Sequence, residues 1–115
     1  MHEYSIVQSL IERVSQEATA KRASIVRRVH VSIGDLAGVE RELLATAFDT
    51  FKPGTACEAS VLEIRAVPVR WECPRCHQER PPGQILQCPT CSVPARLVQG
   101  DEIILERIEM EVADV

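Results

Sequence analysis

Aromatic side chains are scarce: two Phe, one Trp and one Tyr in 115 residues. An interior must therefore be built mostly from Val, Ile, Leu and Ala, and a hydrophobic share of 45% is enough for that. Basic runs are also missing. Thirteen Lys and Arg against seventeen Asp and Glu give a net charge of -4, and no stretch could neutralise many phosphates, so nucleic acid is a disfavoured partner. No window approaches the roughly 20 apolar residues that span a bilayer. Glu3 and Glu12 stand where a signal peptide would place positive charge and then an apolar core, so a cytoplasmic protein without a membrane contact is expected. Three scattered His residues and no Gly-rich phosphate loop leave a catalyst without nucleophile, base or open metal position, and no enzyme is expected.

At this length the chain has room for one core and one small appendage. Ile6, Val7, Leu10, Ile11, Val14 and Ala18 recur at helical spacing, which predicts an amphipathic helix from Glu3 to Ala20. Ile25 to Ile33 alternates, with Val29, Val31 and Ile33 on one face and Arg28, His30 and Ser32 on the other, as in a half-buried strand. After Gly34-Asp35 and Gly38, helical spacing returns through Val39, Leu43, Leu44, Ala47, Phe48 and Phe51 until Lys52-Pro53-Gly54 stops it. A second strand begins at Ser60 and changes phase near Pro68, which suggests a bulge or an edge position there. A last strand sets Ile104, Ile108, Met110 and Val112 against Arg107, Glu109 and Glu111.

These elements predict an α+β fold, a three-stranded sheet carrying two helices on one face. The two strands that flank residues 71–100 are expected to pair antiparallel. Residues 1–70 and 101–115 form this unit, and 71–100 form a small inserted knob with too few large apolar residues to make a core.

Inside the insertion, Cys73-Pro74-Arg75-Cys76 and Cys88-Pro89-Thr90-Cys91 form two Cys-x-x-Cys pairs. A tight turn after each first Cys directs two sulfurs to one point, and two such knuckles complete a closed tetrahedron of soft ligands. Structural zinc is the reading this spacing favours. Iron on four thiolates has the same ligand set and stays open. Two disulfides would need an oxidising compartment. Cys73-x-x-Cys76-His77 also matches a c-type haem attachment motif, but that would need export and would leave Cys88 and Cys91 without a role.

Met1-His2-Glu3 offers different chemistry. A His at position 2 is ordinarily a solvated residue on a frayed end. However, the Met1 amine, the His2 backbone nitrogen and its imidazole can close fused chelate rings in one plane, which suits Ni(II) or Cu(II); Glu3 could add its backbone nitrogen or its carboxylate.

Taken in order, several segments resemble the HypA/HybF family of hydrogenase maturation. They are Met1-His2-Glu3, the strand end from Val31 to Leu36, the segment from Glu42 to Phe48, the paired cysteine knuckles, and Gly100-Asp101-Glu102. The resemblance covers essentially the whole chain. It implies a nickel metallochaperone in which His2, with the Met1 amine and Glu3 beside it, holds Ni(II). Cys73, Cys76, Cys88 and Cys91 would hold zinc in a structural role. Residues 1–70 and 101–115 would be the nickel-binding domain and 71–100 the zinc-binding domain. The resemblance further implies delivery to the NiFe hydrogenase active site, and in some bacteria support of urease, with the GTPase HypB and the hydrogenase large subunit as partners. The carrier could be a monomer or a homodimer.

Cys57, apart from both pairs, is read as a small buried hydrophobe. His30 is read as a surface residue on the polar face of its strand rather than a catalyst, His77 as a solvated knuckle residue, and the acidic tail from Glu106 to Asp114 as the outer face of a strand. The competing reading is a zinc-ribbon interaction module without a transported metal, favoured by Arg70, Trp71, Arg75 and Arg80 around the knuckles.

Overall fold

The computed structural model describes residues 2–80 and 86–113, with side chains from Glu3 onward. Helix α1 (His2–Ala20) buries Val7, Ile11, Val14 and Ala18, spaced four, three and four residues apart, so one stripe faces the sheet. Arg22, in the left-handed region at φ 54°, ends the helix turn and sends the chain into strand β1 (Ala23–Gly34). Helix α2 (Arg41–Phe51) buries Leu44, Ala47 and Phe48. Leu43 falls off that stripe and is exposed, contrary to the expected apolar set. The Phe51 ring meets Tyr4 of α1 edge to face at 5.2 Å.

Strand β2 (Val61–Val67) pairs parallel with β1, and strand β6 (Ile103–Val112) pairs antiparallel with the other side of β1. The order is therefore β2-β1-β6, and the strands flanking the insertion are not neighbours as expected but the two edges. The reason is topological. A helix between β1 and β2 returns the chain in the same direction, which makes a parallel pair and leaves β6 the opposite side of β1. Val29, Val31 and Ile33 of β1 are buried under the helices with Val26.

Three register shifts interrupt the β1–β6 ladder, one at Ser24 and two that reset which residues face the core. At Arg27 the β1 register skips a residue, so Val26 and Val29 share the core face although three apart. At Glu106 the β6 register skips another, which turns Leu105 inward with Ile108 and Met110 while Ile104, expected inside, points out and is exposed. Pro68 follows directly on β2, an edge strand, so the edge position expected there holds, while no bulge interrupts the β1–β2 register. The strand ends at Val67 and the chain turns into a second sheet, where β3 (Arg70–Glu72) lies between β4 (Glu79–Arg80) and β5 (Arg96–Gln99).

The two sheets lie end to end. The radius of gyration is 18.3 Å and the longest extent 59 Å, against a radius of about 13 Å for a compact chain of this length. Both connections pass one junction. Asp35 N–H donates to Val67 O at 3.0 Å, Leu36 N–H to Gly100 O at 2.6 Å and Gly34 N–H to Glu102 O at 2.9 Å. Backbones approach so closely that a Cβ on Gly34 would lie 2.1 Å from the Gly100 carbonyl carbon. Gly100 itself has φ +107° and would place a Cβ 2.7 Å from Val69 Cα. Among the described residues no helix is long and apolar enough to cross a membrane.

Gly34→Ala should cost about 1–3 kcal/mol, because the obstructing atoms are backbone and cannot step aside without separating the two sheets. Gly38→Ala, which meets no atom within 4 Å but sits at φ +75°, should cost about 1 kcal/mol, from conformation alone. Denaturant melts of both variants check this; equal losses would deny the junction its close packing.

Candidate metal centre

Each cysteine pair folds on the same plan. In the first knuckle Cys73 N–H donates to Gln78 O and His77 N–H to Cys73 O, both at 2.9 Å; in the second Cys88 N–H donates to Val93 O at 3.0 Å and Ser92 N–H to Cys88 O at 2.9 Å. The residue after each second cysteine, His77 at φ 61° and Ser92 at φ 54°, is left-handed, which turns the backbone around the sulfurs. Backbone amides point at the first sulfur of each pair. Arg75 N–H and Cys76 N–H donate to Cys73 Sγ at 3.4 and 3.5 Å, and Cys91 N–H donates to Cys88 Sγ at 3.4 Å.

The four sulfurs all lie within 4.8 Å of one another, and Cys76 Sγ is 3.7 Å from Cys88 Sγ. A tetrahedron with metal–sulfur bonds of about 2.3 Å has edges of about 3.8 Å, so this cluster fits a single tetrahedral ion such as zinc. Cys73 and Cys88 are buried and Cys76 exposed. Among the described residues of this lobe the fully buried side chains are those two cysteines, so the sulfur cluster occupies the place of a hydrophobic core.

Protonation differs from thiol to thiol. The Cys76 N–H, with that of Arg75, holds the Cys73 thiol down to about 6, and the Cys91 N–H leads those that hold Cys88 below the ordinary thiol range. Burial, reinforced by the three neighbouring sulfurs, pushes Cys91 up to about 12. The amides thus stabilise one thiolate in each knuckle, and a cation is needed to ionise the whole set. Beside the cluster, the Arg96 guanidinium at 2.9 Å, and after it His77, hold the Glu72 carboxyl below the usual carboxylate range. That ion pair ties β5 to β3 next to the first knuckle.

Met1 and the side chain of His2 lie outside the described residues. Glu3 is described: its side chain is buried, and the Glu40 N–H donates to its Oε2 at 3.4 Å. Glu40 is the N-cap of α2 and makes no side-chain cap of its own, so a carboxylate from α1 approaches the positive end of α2. Sequence reasoning did not anticipate Glu40, because nothing in linear spacing brings residue 40 to residue 3. Cys57 is fully buried, and burial raises its pKa. His30 lies on the open, polar face of the sheet, as expected, where it is half-buried against Glu109 in a network with Arg107.

Fold and site together define a small α+β unit joined to a lobe organised by a four-thiolate metal site. A family model described as hydrogenase/urease nickel incorporation metallochaperone, HypA, matches residues 1–110. The hydrogenase maturation factor HypA of Shewanella baltica is 42% identical over 113 residues, covering 96% of this chain and 97% of its own length. That of Aquifex aeolicus is 39% identical over 114 residues, covering 97% and 99%. The solution structure of the Ni metallochaperone HypA from Helicobacter pylori superposes with a TM-score of 0.72 at 32% identity, covering 98% of this chain and 100% of that one. Another HypA solution structure reaches 0.80 at 32% identity, covering 98% of each. The chain belongs to the HypA family of hydrogenase maturation factors.

Strong chelation should unfold the lobe while sparing the helical unit. The single tryptophan, Trp71, lies in β3 and reports on the lobe, so its fluorescence should shift while the far-ultraviolet helical signal persists. Loss of both signals together would show that the larger unit depends on the metal. Metal uptake should also be proton-linked. Near neutral pH fewer than four protons should be released per ion, since Cys73, titrating near 6, has already lost its own. Affinity should fall as pH drops and most steeply below about 6, where Cys73 too must be deprotonated by the metal. Dye-monitored proton release and competition titrations test this; pH-independent uptake would contradict thiol ligation.

Proposed function

We propose that this protein is a nickel carrier for assembly of the NiFe hydrogenase active site, with urease a second recipient of the kind named in the family description. Nickel is its cargo, held by the His2 imidazole and backbone nitrogen together with the Met1 amine and Glu3. Zinc is its resident ion, held by Cys73, Cys76, Cys88 and Cys91, where it supplies a structural cross-link. The proposed division is 1–70 and 101–115 as the nickel-binding domain and 71–100 as the zinc-binding domain. The observation that carries this reading is the match of the family model to residues 1–110, across both metal-bearing parts of the chain.

Several physical features support it. Four thiols are enough to saturate a tetrahedral ion, so the cluster suits a resident metal rather than one that must leave. Nitrogen donors near a chain end can be approached and displaced by another protein's ligands, which suits a cargo. Glu3 lies in the first turn of α1, and its hydrogen bond from Glu40 anchors the residue next to His2 against α2. The carrier works in the cytoplasm, catalyses no reaction itself, and hands nickel on through the GTPase HypB and the hydrogenase large subunit.

Nickel titration of the untagged protein should give a stoichiometric site that His2→Ala abolishes and a short N-terminal extension weakens, with zinc content unchanged in both. Identical nickel binding by protein and variant would favour the rival reading, an interaction module with no transported metal. Affinity should decline through about pH 6.5 as the imidazole takes a proton. Hydrogenase activity in cells carrying His2→Ala should be low and recover with added nickel.

A further inference from the structure

Where the chain returns from the lobe to the larger sheet, the elbow between them encloses a cavity of about 260 Å³. Ser32 and Ile104 line it from the open face of the larger sheet, Val67 from the end of β2 and Leu97 from β5 of the lobe. Asp101 and Glu102, in the link from β5 to β6, complete the lining. Neither carboxylate takes part in the proposed metal sites. Ser32 sits between Val31 and Ile33, which face the core, and takes the opposite side of the strand. Only 1% of it is exposed, yet among the described residues its hydroxyl has no hydrogen-bond partner. Its oxygen is not sealed in the interior but open to the cavity, so that bond is left for whatever fills the space. Asp101 and Glu102 are exposed and likewise have no partner among the described residues. Cations on the flanking strands are spent elsewhere: Arg65 on Glu106, with both contacts at 3.0 Å, and Arg96 on Glu72 at 2.9 Å. The Gln99 amide is also engaged, donating to Pro68 O at 3.0 Å.

One hydroxyl and two carboxylates over an apolar wall select among cations. A hard divalent ion is held by six or more oxygens and gains nothing from Val67, Leu97 and Ile104. An arginine side chain uses both parts of the lining, its aliphatic stem against the apolar wall and its weakly hydrated guanidinium, with five N–H donors, toward the oxygens. We propose that this cavity receives an arginine side chain of a partner protein, whose guanidinium donates to Ser32 Oγ and to the carboxylates of Asp101 and Glu102. This inference is independent of the nickel reading. Charge complementarity carries it: two carboxylates and a buried hydroxyl lack the donors that a guanidinium supplies. A protein is the fitting source, because apolar surface surrounds the cavity. Ile104 is 47% exposed, and Leu36, whose N–H donates to the Gly100 carbonyl, is 54% exposed, so the partner surface around the arginine has area to cover. The walls come from both sheets, and a seated arginine therefore bridges the lobe and the larger unit.

The test is an amide-detected NMR titration of the full-length metal-loaded protein with N-acetyl-arginine methylamide, beside its norleucine counterpart and magnesium chloride. The arginine probe should give weak, saturable shifts centred on Ser32, on Gly100 to Glu102 and on Ile104, and the norleucine probe none. Asp101→Asn combined with Glu102→Gln should weaken binding about tenfold or more, and Ser32→Ala about threefold or more. The serine variant separates a built socket from the general pull of an acidic surface, which would not notice the loss of a buried hydroxyl. All three exchanges keep or reduce side-chain volume, so the fold should survive, as circular dichroism would verify. Absence of saturable shifts overturns the proposal, and so do shifts scattered over the acidic surface or binding indifferent to Ser32→Ala. An equal response to magnesium at the same amides overturns it by making the cavity an inorganic-cation site.

Discussion

Four sulfurs held within 4.8 Å of one another stand where the distal lobe would otherwise need a hydrophobic core. Such a cluster is unfavourable without a cation, because thiolates repel and buried thiols resist ionisation. With one, the same crowding becomes a cross-link between two turns whose fully buried side chains, among the described residues, are Cys73 and Cys88. The short strands β3, β4 and β5 depend on it: β4 has two residues and β3 three, lengths that do not hold a sheet on their own. Even the Glu72–Arg96 ion pair, partly exposed, adds little by comparison.

The larger unit is held differently. β1 lies at the centre of its sheet and carries Val26, Val29, Val31 and Ile33 into the core, and its last residue touches the junction to the lobe. Gly34 therefore belongs to both bodies. Its N–H closes onto Glu102 O, its Cα abuts Gly100, and the loop that follows it reaches Glu40 and, through that N–H, Glu3. One stretch from 34 to 40 thus borders the lobe's two connections at one end and the start of α1 at the other. Small residues at the crossing let two backbones meet where any Cβ would keep them apart.

Much of this was legible in the sequence, and what was not has identifiable causes. Helical spacing located α1 and α2 because a stripe every three or four residues depends on local geometry. The cysteine knuckles were legible for the same reason: both chelate turns are encoded within four residues. Strand order was not, because the choice of β1 as the central strand is made by a helix crossing between distant segments. Ile104 was misplaced because a bulge at Glu106 shifts phase without any compositional signal, and Leu43 because a helix stripe narrows when the sheet beneath it is small. Pro68 marked a break in pattern correctly, but a chain leaving one sheet for another gives the same signature as a bulge. Glu40 beside Glu3 is a tertiary fact with no linear trace.

Under the proposed function, the two kinds of donor in this chain solve opposite problems. A resident ion has to outlast every encounter of the protein, which favours four soft ligands on two preformed turns, with amides already stabilising one thiolate in each. A transported ion has to leave, which favours few donors, near an end of the chain, with protonation able to compete for them. Placing both in one fold risks exchange between them, and geometry limits that risk: the knuckles close around their own centre, and Cys73 and Cys88 are buried. Separation of lobe and helical unit along a 59 Å axis also allows the two to meet different surfaces. In the reading proposed above, ligand softness sets which metal each site keeps and chain position sets how readily it is surrendered, so the selectivity of this small carrier follows from where its nitrogen and sulfur donors fall along the sequence.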